Sequence, residues 1–503
     1  MNDSHRPTSA RVVTDRLVGA VLAAAAGDAL GAGYEFGPPL PADEPVHPVG
    51  GGAFNWAPGE WTDDTQMAAC ILAVLAEGSP DVGRIAANFR EWFAAGPADV
   101  GNQTRAVLSQ DGDLLDIAAE FARSRPDHSA GNGSLMRTAP VALAAPGHPE
   151  RIAELAATVS ALTHADPDCR DACVLWCVAI DHQAHHAPAS DQPWSFAEAV
   201  RVGLDHLDAD RRSRWASRID EAASATPLDF PHNGWVVHAF QAALAAACST
   251  PVPEGPDAGR HLRLALEQAV RAGGDTDTVA AIAGALLGSR WGATAVPTEW
   301  QRILHGHGHR PEPRLVAADL DALSRLAANG GRPDPHGWPG RSSMVEHYLE
   351  LPSPPSGRDA ELHRVRFGDV VTLDAALADG AVSVVSLCRM GVADVPIGVD
   401  HLVVGLHDTE VEDNPNLVLL LEDVADHVQD QHLAGRTTYV HCVAAENRTP
   451  TVAAAWLVRH HGYSAEDALA VAGRELNPPR PFLAEAVRSV RPADPSDGIR
   501  RRP

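Results

Sequence analysis

The hydrophobic pattern changes its period partway along the chain, and a single fold cannot satisfy both patterns. From residue 11 to about 310, apolar residues recur every three or four positions in Ala-rich segments, which is the period of an amphipathic helix. Six such segments are 66–77, 151–162, 169–180, 236–248, 262–271 and 278–290. Beyond residue 341, short runs such as 382–387 and 437–440 read as buried strands that alternate with helical segments, which is typical of an α/β fold. We therefore predict an all-α bundle at 11–310, a linker at 311–340 and an α/β domain at 341–492.

Length, charge and the choice of basic residues exclude several functions. The chain has 503 residues, too many for one hydrophobic core, and its net charge is −26. We do not expect such an acidic chain to bind nucleic acid in general or an anionic membrane. All of its 40 Lys and Arg positions hold Arg, so Schiff-base and Walker-type lysine chemistry are excluded.

Cysteine usage and the N-terminal sequence favour the cytoplasm. The seven cysteines form an odd set without paired spacing, which argues against a disulfide framework. Cys169, Cys173 and Cys177 recur every four residues and share one helix face, where we expect small buried hydrophobic residues. The apolar stretch 17–26 resembles a signal peptide, but it is too short to span a membrane and leads directly into a candidate active-site motif at 27–31.

Two carboxylate motifs, far apart in the sequence, predict a metal site. Hard cations such as Mg²⁺ prefer several oxygen ligands, and two facing triplets of such ligands would suit two metal ions. Each motif alone could be a helix N-cap, because Asp and Thr are favoured there, but the pair favours metal. Glycines 273 and 274 would let the backbone approach closely beside the second motif. The six candidate ligands are Thr62, Asp63, Asp64, Asp275, Asp277 and Thr278.

Further motifs occur in an order that is shared with a known enzyme family. They are Gly27-Asp28-Ala29-Leu30-Gly31 with Glu35, and the segments 61–65, 97–102, 131–137, 163–164 and 273–278. On these motifs, residues 11–300 resemble the ADP-ribosylglycohydrolase family. The resemblance implies an all-helical domain that holds two Mg²⁺ ions, or Mn²⁺ in their place, on the six ligands above. It also implies cleavage of the glycosidic bond at C1 of the distal ribose of ADP-ribose.

The same resemblance assigns roles to individual residues. Glu35 would be an acid/base or a metal-linked carboxylate on a mobile loop. Asp99 would be the proton donor, with a helix cap as the alternative. Gly131, Gly133 and Ser134 would cradle the diphosphate through backbone amides, which requires no basic side chain. His164 would lie near the adenosine, with a purely structural buried histidine as the alternative.

A second candidate site surrounds Cys442, which lies between a predicted strand and a predicted helix. A cysteine in that position has a lowered pKa, and the amides of the helix N-terminus bind phosphate oxygens. Arg448 could grip phosphate through two hydrogen bonds, and Thr449 could donate to the sulfur or the leaving group. Asp408 could be the general acid, with Asp413 as a near alternative.

Residues 340–492 resemble the dual-specificity branch of the cysteine phosphatases, through the motifs His441-Cys442-x5-Arg448-Thr449 and His407-Asp408-Thr409. The resemblance implies a cysteine-phosphatase domain. Ala445 departs from the family, which usually has glycine there, and would be costly only if the backbone needs a positive φ. Glu446 would add a negative charge beside a phosphate pocket.

We therefore expect a bifunctional hydrolase that acts on an ADP-ribosylated protein or small molecule and on a phosphorylated substrate. One alternative is a glycohydrolase whose C-terminal domain binds phosphate without catalysis. A second alternative is a structural or binding protein in which these sites are no longer active, which the intact carboxylate triplets argue against.

Overall fold

The computed structural model describes residues 8–188 and 193–494, which form two compact units. The first unit extends to Arg332 and the second begins at Pro333, while the short segments Glu254–Ala258 and Pro297–Arg302 group with the second unit. Among the described residues, no helix is both long and apolar enough to cross a membrane.

Up to Ala328 the regular secondary structure of the described chain is helical apart from one pair of two-residue strands, as the apolar spacing predicted. Each predicted helical segment lies within an observed helix, to within two residues at its ends, because buried residues recur at helical spacing along these segments. The helices are α1 (Ala10–Gly31), α2 (Asp63–Leu75), α3 (Val82–Ala94), α4 (Asn102–Leu108), α5 (Leu114–Ser124), α6 (Pro149–Ala161), α7 (Pro167–His186), α8 (Phe196–Arg201), α9 (Ala209–Ala223), α10 (Val236–Ser249), α11 (His261–Arg271), α12 (Thr276–Trp291), α13 (Thr298–Ile303) and α14 (Ala317–Ala328).

Glycines bring α1 and α12 into backbone contact at the centre of the first unit. A Cβ atom on Gly288 would lie 2.0 Å from the carbonyl oxygen of Gly19, and one on Gly27 would lie 2.2 Å from that of Ala280. At the end of this seam, a Cβ on Gly31 would lie 2.4 Å from the amide nitrogen of Asp277. The seam therefore places the C-terminus of α1 against the N-terminus of α12, where the second carboxylate motif begins.

The structure differs from the predicted linker at 311–340. Strands β1 (His305–Gly306) and β2 (Leu315–Val316) pair antiparallel, and α14 then packs its buried residues within the first unit. The indole of Trp61 donates a 2.9 Å hydrogen bond to the carbonyl of His307 and lies so close to Gly306 that no side chain would fit there. The segment that carries Gly306 and His307 therefore packs against Trp61, next to the first carboxylate motif.

The second unit contains a five-stranded sheet in the order β3-β4-β7-β5-β6. Strands β3 and β4 pair antiparallel, and the remaining pairs are parallel. The sequence predicted β5, β6 and β7 but missed the hairpin β3–β4, whose short polar first strand lacks a clear alternation. The strands are β3 (Asp359–Leu362), β4 (Val365–Asp369), β5 (Ser383–Ser386), β6 (Asp400–Val403) and β7 (Thr438–Cys442).

Helices cover this sheet and complete the α/β architecture. One buried cluster joins the sheet to α17 and α18, with Phe367, Val440 and Trp456 fully buried. A smaller cluster forms around Val384, Leu373 and Met344. The carboxyl ends of the parallel strands β4, β5 and β7 meet at one edge, where Cys442 ends β7. The helices are α15 (Met344–Leu349), α16 (Leu373–Ala378), α17 (Leu417–Leu433), α18 (Arg448–His461), α19 (Ala465–Glu475) and α20 (Pro481–Arg488).

Candidate active sites

The first carboxylate motif is held in place by a buried aspartate at the end of α1. One oxygen of Asp28 accepts a 2.9 Å hydrogen bond from the amide of Thr62. The other oxygen accepts from the amide of Thr65 at 3.0 Å and from its hydroxyl at 2.6 Å. Thr62 is also the N-cap of α2, so the capping role that we considered as an alternative coexists with the predicted ligand role. Asp28 thus fixes the turn that presents Asp63 and Asp64.

The second carboxylate motif meets the first one and Glu35. The hydroxyl of Thr278 donates to Asp64 at 3.3 Å, although the two residues are 214 positions apart. Carboxylate oxygens of Glu35, Asp275 and Asp277 lie within 4.8 Å of one another. The structure therefore brings the predicted carboxylate ligands together with Glu35, which the resemblance alone had connected to them.

Glu35 reaches this cluster because its loop is bonded to the glycines before Asp275. The amide of Phe36 donates to the carbonyl of Gly274 at 2.7 Å, and the amide of Gly274 donates to the carbonyl of Gly37 at 3.1 Å. Gly273 and Gly274 both have a φ of 75°, a conformation that strains other residues. The glycine pair therefore gives the close backbone approach that the sequence predicted.

Burial and mutual repulsion keep these carboxyls from ionising easily. Burial raises the pKa of Asp28 to about 6. Burial, followed by the charge of Asp275, raises the pKa of Glu35 to about 9. Burial likewise raises the pKa values of Asp63, Asp64 and Asp277 well above the ordinary range of an aspartate, with neighbouring carboxylates adding to the effect. The ionised form of several neighbouring buried carboxyls is unfavourable without a nearby positive charge, and a bound cation would stabilise that form.

Two buried oxygens test whether the cluster suits a metal. Oδ2 of Asp64 and Oε2 of Glu35 are buried and accept no hydrogen bond from the described residues. Buried polar atoms are normally paired, so such oxygens point to a missing partner. Carboxylate and hydroxyl oxygens are the donors that Mg²⁺ and Mn²⁺ prefer. The residues present therefore fit a hard divalent cation.

Asp99 lies near the same cluster, and it is not a helix cap. The N-cap of α4 is Gly101, so the alternative that we considered for Asp99 does not describe the structure. Asp99 is half-buried, and burial together with the charge of Asp275 raises its pKa. Its charge in turn contributes to the raised pKa of Glu35, which places Asp99 within electrostatic reach of the cluster.

The glycine loop at 131–137 presents free backbone amides. The amides of Gly131, Gly133 and Ser134 have no hydrogen-bond partner among the described residues, as an anion-binding loop requires. The hydroxyl of Ser134 is buried and accepts from the hydroxyl of Ser160 at 3.0 Å, so only its amide is available. The predicted use of backbone amides is therefore consistent with the geometry.

His164 supports this loop from below. Its side chain is 2% exposed, and its Nε2 lies 3.5 Å from the place where a Cβ on Gly131 would be. The hydroxyl of Thr163 lies 2.8 Å from its Nδ1 and accepts a hydrogen bond from the buried Arg137 at 2.7 Å. Burial, assisted by the charge of Arg137, lowers the pKa of His164 well below its usual value. The ring is therefore neutral and lies beneath the loop, as in the structural alternative for this residue.

The three cysteines of α7 pack beneath the same loop. The thiol of Cys169 donates to the carbonyl of Gly131 at 3.2 Å, and that of Cys177 donates to the carbonyl of Thr138 at 3.4 Å. Burial raises the pKa of all three thiols, which keeps them protonated. They are small buried residues, as the sequence indicated, and they support the candidate substrate loop.

One segment of the site, residues 232–235, was missed in the sequence. Asn233 is 5% exposed; its side chain donates to the carbonyl of Gly273 at 2.9 Å and accepts from the amide of Asp275 at 3.1 Å. Gly131 forms a β-bridge with Trp235, whose ring is 39% exposed beside the glycine loop. The only sequence signal was an Asn-Gly pair before a helix, which marks turns in general and no particular function.

In the second unit, the loop after Cys442 has the form of an anion-binding turn. Cys442 ends β7, α18 begins at Arg448, and the amides of residues 444–447 have no partner among the described residues. Ala445 is fully buried with a φ of 50°, so the backbone does adopt the conformation that favours glycine. That conformation costs a non-glycine residue about 1–2 kcal/mol. Glu446 is exposed and directs its charge to solvent.

The predicted partners of Cys442 are only partly where we expected them. Arg448 donates to the carbonyl of Leu387 at 2.6 Å and lies 3.5 Å from a carboxylate oxygen of Asp408. Burial opposes its charge, but Cys442 and Asp408 together raise the pKa of Arg448. The hydroxyl of Thr449 donates to the carbonyl of Gly368 at 3.2 Å and not to the sulfur, while its alternative bond, to a leaving group, stays a prediction. The alternative acid, Asp413, accepts from Thr409 at 2.7 Å.

Similarity to a phosphatase is limited to a weak structural match. Human DUSP28 aligns with 27% of this chain and 95% of its own length, at 20% identity and a TM-score of 0.24. A match at that level does not establish the phosphatase domain that the sequence suggested. The second unit is therefore established only as an α/β region.

The first unit is similar to known glycohydrolases over its whole length. The ADP-ribosyl-[dinitrogen reductase] glycohydrolase of Rhodospirillum rubrum is 30% identical over 321 residues, which cover 63% of this chain and 97% of that protein. The ADP-ribosylarginine hydrolase Tri1 of Pseudomonas putida is 32% identical over 297 residues, or 57% and 73% of the two chains. The model of the ADP-ribosylglycohydrolase family matches residues 9–333. With its carboxylate cluster and glycine loop in this unit, the chain belongs to the ADP-ribosylglycohydrolase family.

Proposed function

We propose that the first unit hydrolyses the bond between C1 of an ADP-ribosyl group and an arginine side chain, with two Mg²⁺ or Mn²⁺ ions. The observation that carries this proposal is the convergence of Glu35, Asp275 and Asp277 within 4.8 Å, beside a loop with free amides. Family membership supports glycohydrolase activity, and the two similar enzymes described above bear names that refer to ADP-ribosyl groups on a protein and on arginine.

The two metal ions would be held by the carboxylates and hydroxyls of the motifs at 62–64 and 275–278. When bound, they would supply positive charge that binds and orients the hydroxyls of the distal ribose. Asp28 acts one step further away, because its three hydrogen bonds fix the turn that carries the first motif.

Residues of the chain orient the remainder of the substrate. The amides of Gly131, Gly133 and Ser134 would donate hydrogen bonds to the diphosphate, since converging amides bind anions without a basic side chain. The half-exposed ring of Trp235 lies beside this loop and offers a surface on which the adenine could stack. His164 would contribute only by supporting the loop.

Asp99 would donate a proton during the reaction, and Glu35 would accept one. Burial and the charge of Asp275 raise the pKa of Asp99, which favours the protonated form that a donor to the leaving guanidine nitrogen needs. The C1–N bond breaks with that proton transferred to nitrogen, water forms the new C1–O bond, and the proton lost by water passes to a carboxylate. Glu35 suits this second role, because a bound cation would favour its ionised form.

A panel of substrates tests this proposal. We would incubate the wild-type protein and Asp277→Asn with peptides ADP-ribosylated on arginine or on serine, and with O-acetyl-ADP-ribose, and measure released ADP-ribose. We expect release from the arginine peptide, dependent on metal and lost in the variant. Release from only the serine peptide or only O-acetyl-ADP-ribose would replace the arginine assignment, and no release from any of them would contradict the proposed activity.

The second unit supports a second candidate activity, hydrolysis of a phosphomonoester by Cys442. The specific observation is the free-amide loop that begins at the end of β7, with Arg448 beside Cys442 and Asp408. The thiolate would attack phosphorus, Asp408 would protonate the leaving oxygen, and water would release phosphate from the cysteine. Phosphate release that is lost in Cys442→Ser would support catalysis. Retained phosphate binding without any release would support the alternative of a phosphate-binding domain.

The cellular setting follows from the thiols and the charge. All seven cysteines are free, which fits a reducing compartment such as the cytoplasm. A net charge of −26 favours a protein or small-molecule substrate over nucleic acid or membrane. The alternative of a structural protein with inactive sites predicts no metal-dependent thermal shift with ADP-ribose, and such a shift would dismiss it.

A further inference from the structure

Asn132 lies in the middle of the candidate diphosphate loop. The residues on either side of it, Gly131 and Gly133, contribute amides that have no partner among the described residues. The side chain of Asn132 is only 9% exposed, so it points away from the phosphate position and into the protein. One residue therefore connects the surface that would bind the ligand with the interior of the site.

Both side-chain amide hydrogens of Asn132 are used. The nitrogen Nδ2 donates to the carbonyl of Asn233 at 2.9 Å and to Oδ2 of Asp275 at 2.7 Å. Asp275 occupies the N-cap position of α12, and Thr278 also bonds to its carboxylate. Asn132 is therefore the partner that ties this carboxylate to the glycine loop.

Further hydrogen bonds link the position of the glycine loop to the position of Asp275. The amide of Asn132 donates to the carbonyl of Gly234 at 3.2 Å, and Asn233 bonds to both Gly273 and Asp275 through its side chain. A displacement of the glycine loop would therefore change the position of Asp275. Partners of this kind orient metal ligands, and their loss commonly weakens metal binding by about 10- to 100-fold.

We propose that Asn132 is a positioning residue that couples the binding of ADP-ribose to the binding of metal. The diphosphate, held by the amides of Gly131 and Gly133, fixes Asn132, and Asn132 then presents the carboxylate of Asp275. Because binding linkage is reciprocal, metal bound at Asp275 increases the affinity for ADP-ribose by the same factor. This inference rests on the proposed function of the first unit, since it assumes that ADP-ribose is the ligand.

The test measures a coupling factor rather than activity. Mn²⁺ would be titrated into the full-length protein by calorimetry, with and without saturating ADP-ribose, after correction for Mn²⁺ bound by free ADP-ribose. The ratio of the two dissociation constants is the coupling factor. The variants are Asn132→Ala and, in case the smaller residue impairs folding, Asn132→Leu, which retains bulk but cannot donate. Asn88→Ala is the control, because Asn88 also donates a side-chain amide hydrogen bond, to the carbonyl of Cys70 at 3.0 Å, but is half-buried and lies outside this network.

We expect the coupling factor to fall about fivefold or more in both Asn132 variants and to be retained in Asn88→Ala. Some coupling should persist in every protein, because the ribose hydroxyls would meet the metals directly. If the Asn132 variants bound Mn²⁺ more weakly but kept the wild-type coupling factor, the residue would be merely structural and the inference would be wrong. If the wild-type protein bound no ADP-ribose with metal present, the proposed function would fail and the coupling with it.

Discussion

Substitution of a single glycine in the α1–α12 seam should destabilise the first unit and weaken a metal site about three helical turns away. The substitution is Gly288→Ala. Its new Cβ would lie 2.0 Å from the carbonyl oxygen of Gly19 and 2.4 Å from the carbonyl carbon. Both atoms belong to the backbone of α1, so no side chain can rotate away, and the two helices must separate by about 1 Å or more to reach normal contact distance.

The expected magnitude follows from two opposing effects. Alanine in a helix interior is favoured over glycine by about 1 kcal/mol. Overpacking of a close contact costs typically about 1–3 kcal/mol, and a clash between two backbones belongs at the upper end. We therefore expect a net loss of about 2 kcal/mol in the free energy of unfolding. Residue 288 lies about 16 Å along α12 from Asp277, at about 1.5 Å per residue, so a separated seam should also displace this ligand.

The matched control is Gly83→Ala in α3. A Cβ at Gly83 would meet only the side-chain oxygen of Asp81, at 3.2 Å, so a small shift of one side chain on the helix surface is enough to admit the methyl group there. We expect it to stabilise the protein by up to about 1 kcal/mol. Calorimetric scans of the full-length protein with and without Mg²⁺ would identify the transition of the first unit as the one that Mg²⁺ raises.

Opposite signs for the two substitutions would support the reasoning, together with a weaker Mg²⁺ affinity in Gly288→Ala alone. If Gly288→Ala matched the wild-type stability to within about 0.5 kcal/mol, or stabilised the unit as Gly83→Ala is expected to, the helices would not be locked by close backbone contact. The account of how the two carboxylate motifs are brought together would then be refuted.

Three further predictions follow from the two sites. Burial raises the pKa of Glu35 to about 9 and that of Asp28 to about 6, above their unfolded values, so the chelator-treated protein should lose stability as pH rises from about 4 to about 9. Thermal scans should show this dependence of stability on pH, and Mg²⁺ should reduce it. An unchanged dependence in Glu35→Gln would contradict the prediction. Asp28→Asn places an amide donor against the backbone N–H groups of Thr62 and Thr65, so we expect the free energy of unfolding to fall by about 1–3 kcal/mol. Calorimetry should also show weaker Mg²⁺ binding, and an Mg²⁺ affinity equal to that of the wild type would contradict this reasoning. Glu446 is exposed, so Glu446→Gln should change the affinity for inorganic phosphate by less than about fivefold, whereas Arg448→Ala should abolish phosphate binding. A larger change in affinity in Glu446→Gln would place the Glu446 charge in the phosphate pocket.

Much of the architecture could be predicted from local pattern. The six predicted helical segments up to residue 290 lie within observed helices to within two residues at their ends, and β5 and β7 occur where β-branched runs predicted them. The strand predicted at 402–406 overlaps β6 by only two residues, because β6 begins at Asp400 and ends at Val403. These segments are buried in a regular pattern, so their period identifies them. The hairpin β3–β4 and helix α14 were missed, because a short polar edge strand and a helix beside Gly/Pro-rich sequence carry little periodic signal.

The candidate residues divide in the same way. Residue chemistry was enough to single out Asp63, Asp64, Asp275 and Asp277, since hard cations need oxygen ligands. The roles of Asn132 and Asn233 were not predictable, because an asparagine beside glycine reads as a turn until the chain folds around it. The positive φ of Ala445 could not be predicted either, because an alanine in an extended backbone, which is not strained, has the same sequence.

The sequence by itself determined the chemistry of this protein: which oxygens could hold a cation, which glycines could present amides to an anion, and which cysteine could be a nucleophile. The tertiary structure decided which of these groups meet. Thr278 bonds to Asp64 across 214 positions because α1 and α12 pack in backbone contact, with Gly31 against Asp277 at the end of the seam. Local patterns report the period and chemistry of a segment, whereas convergence depends on packing between distant segments, which no local pattern encodes.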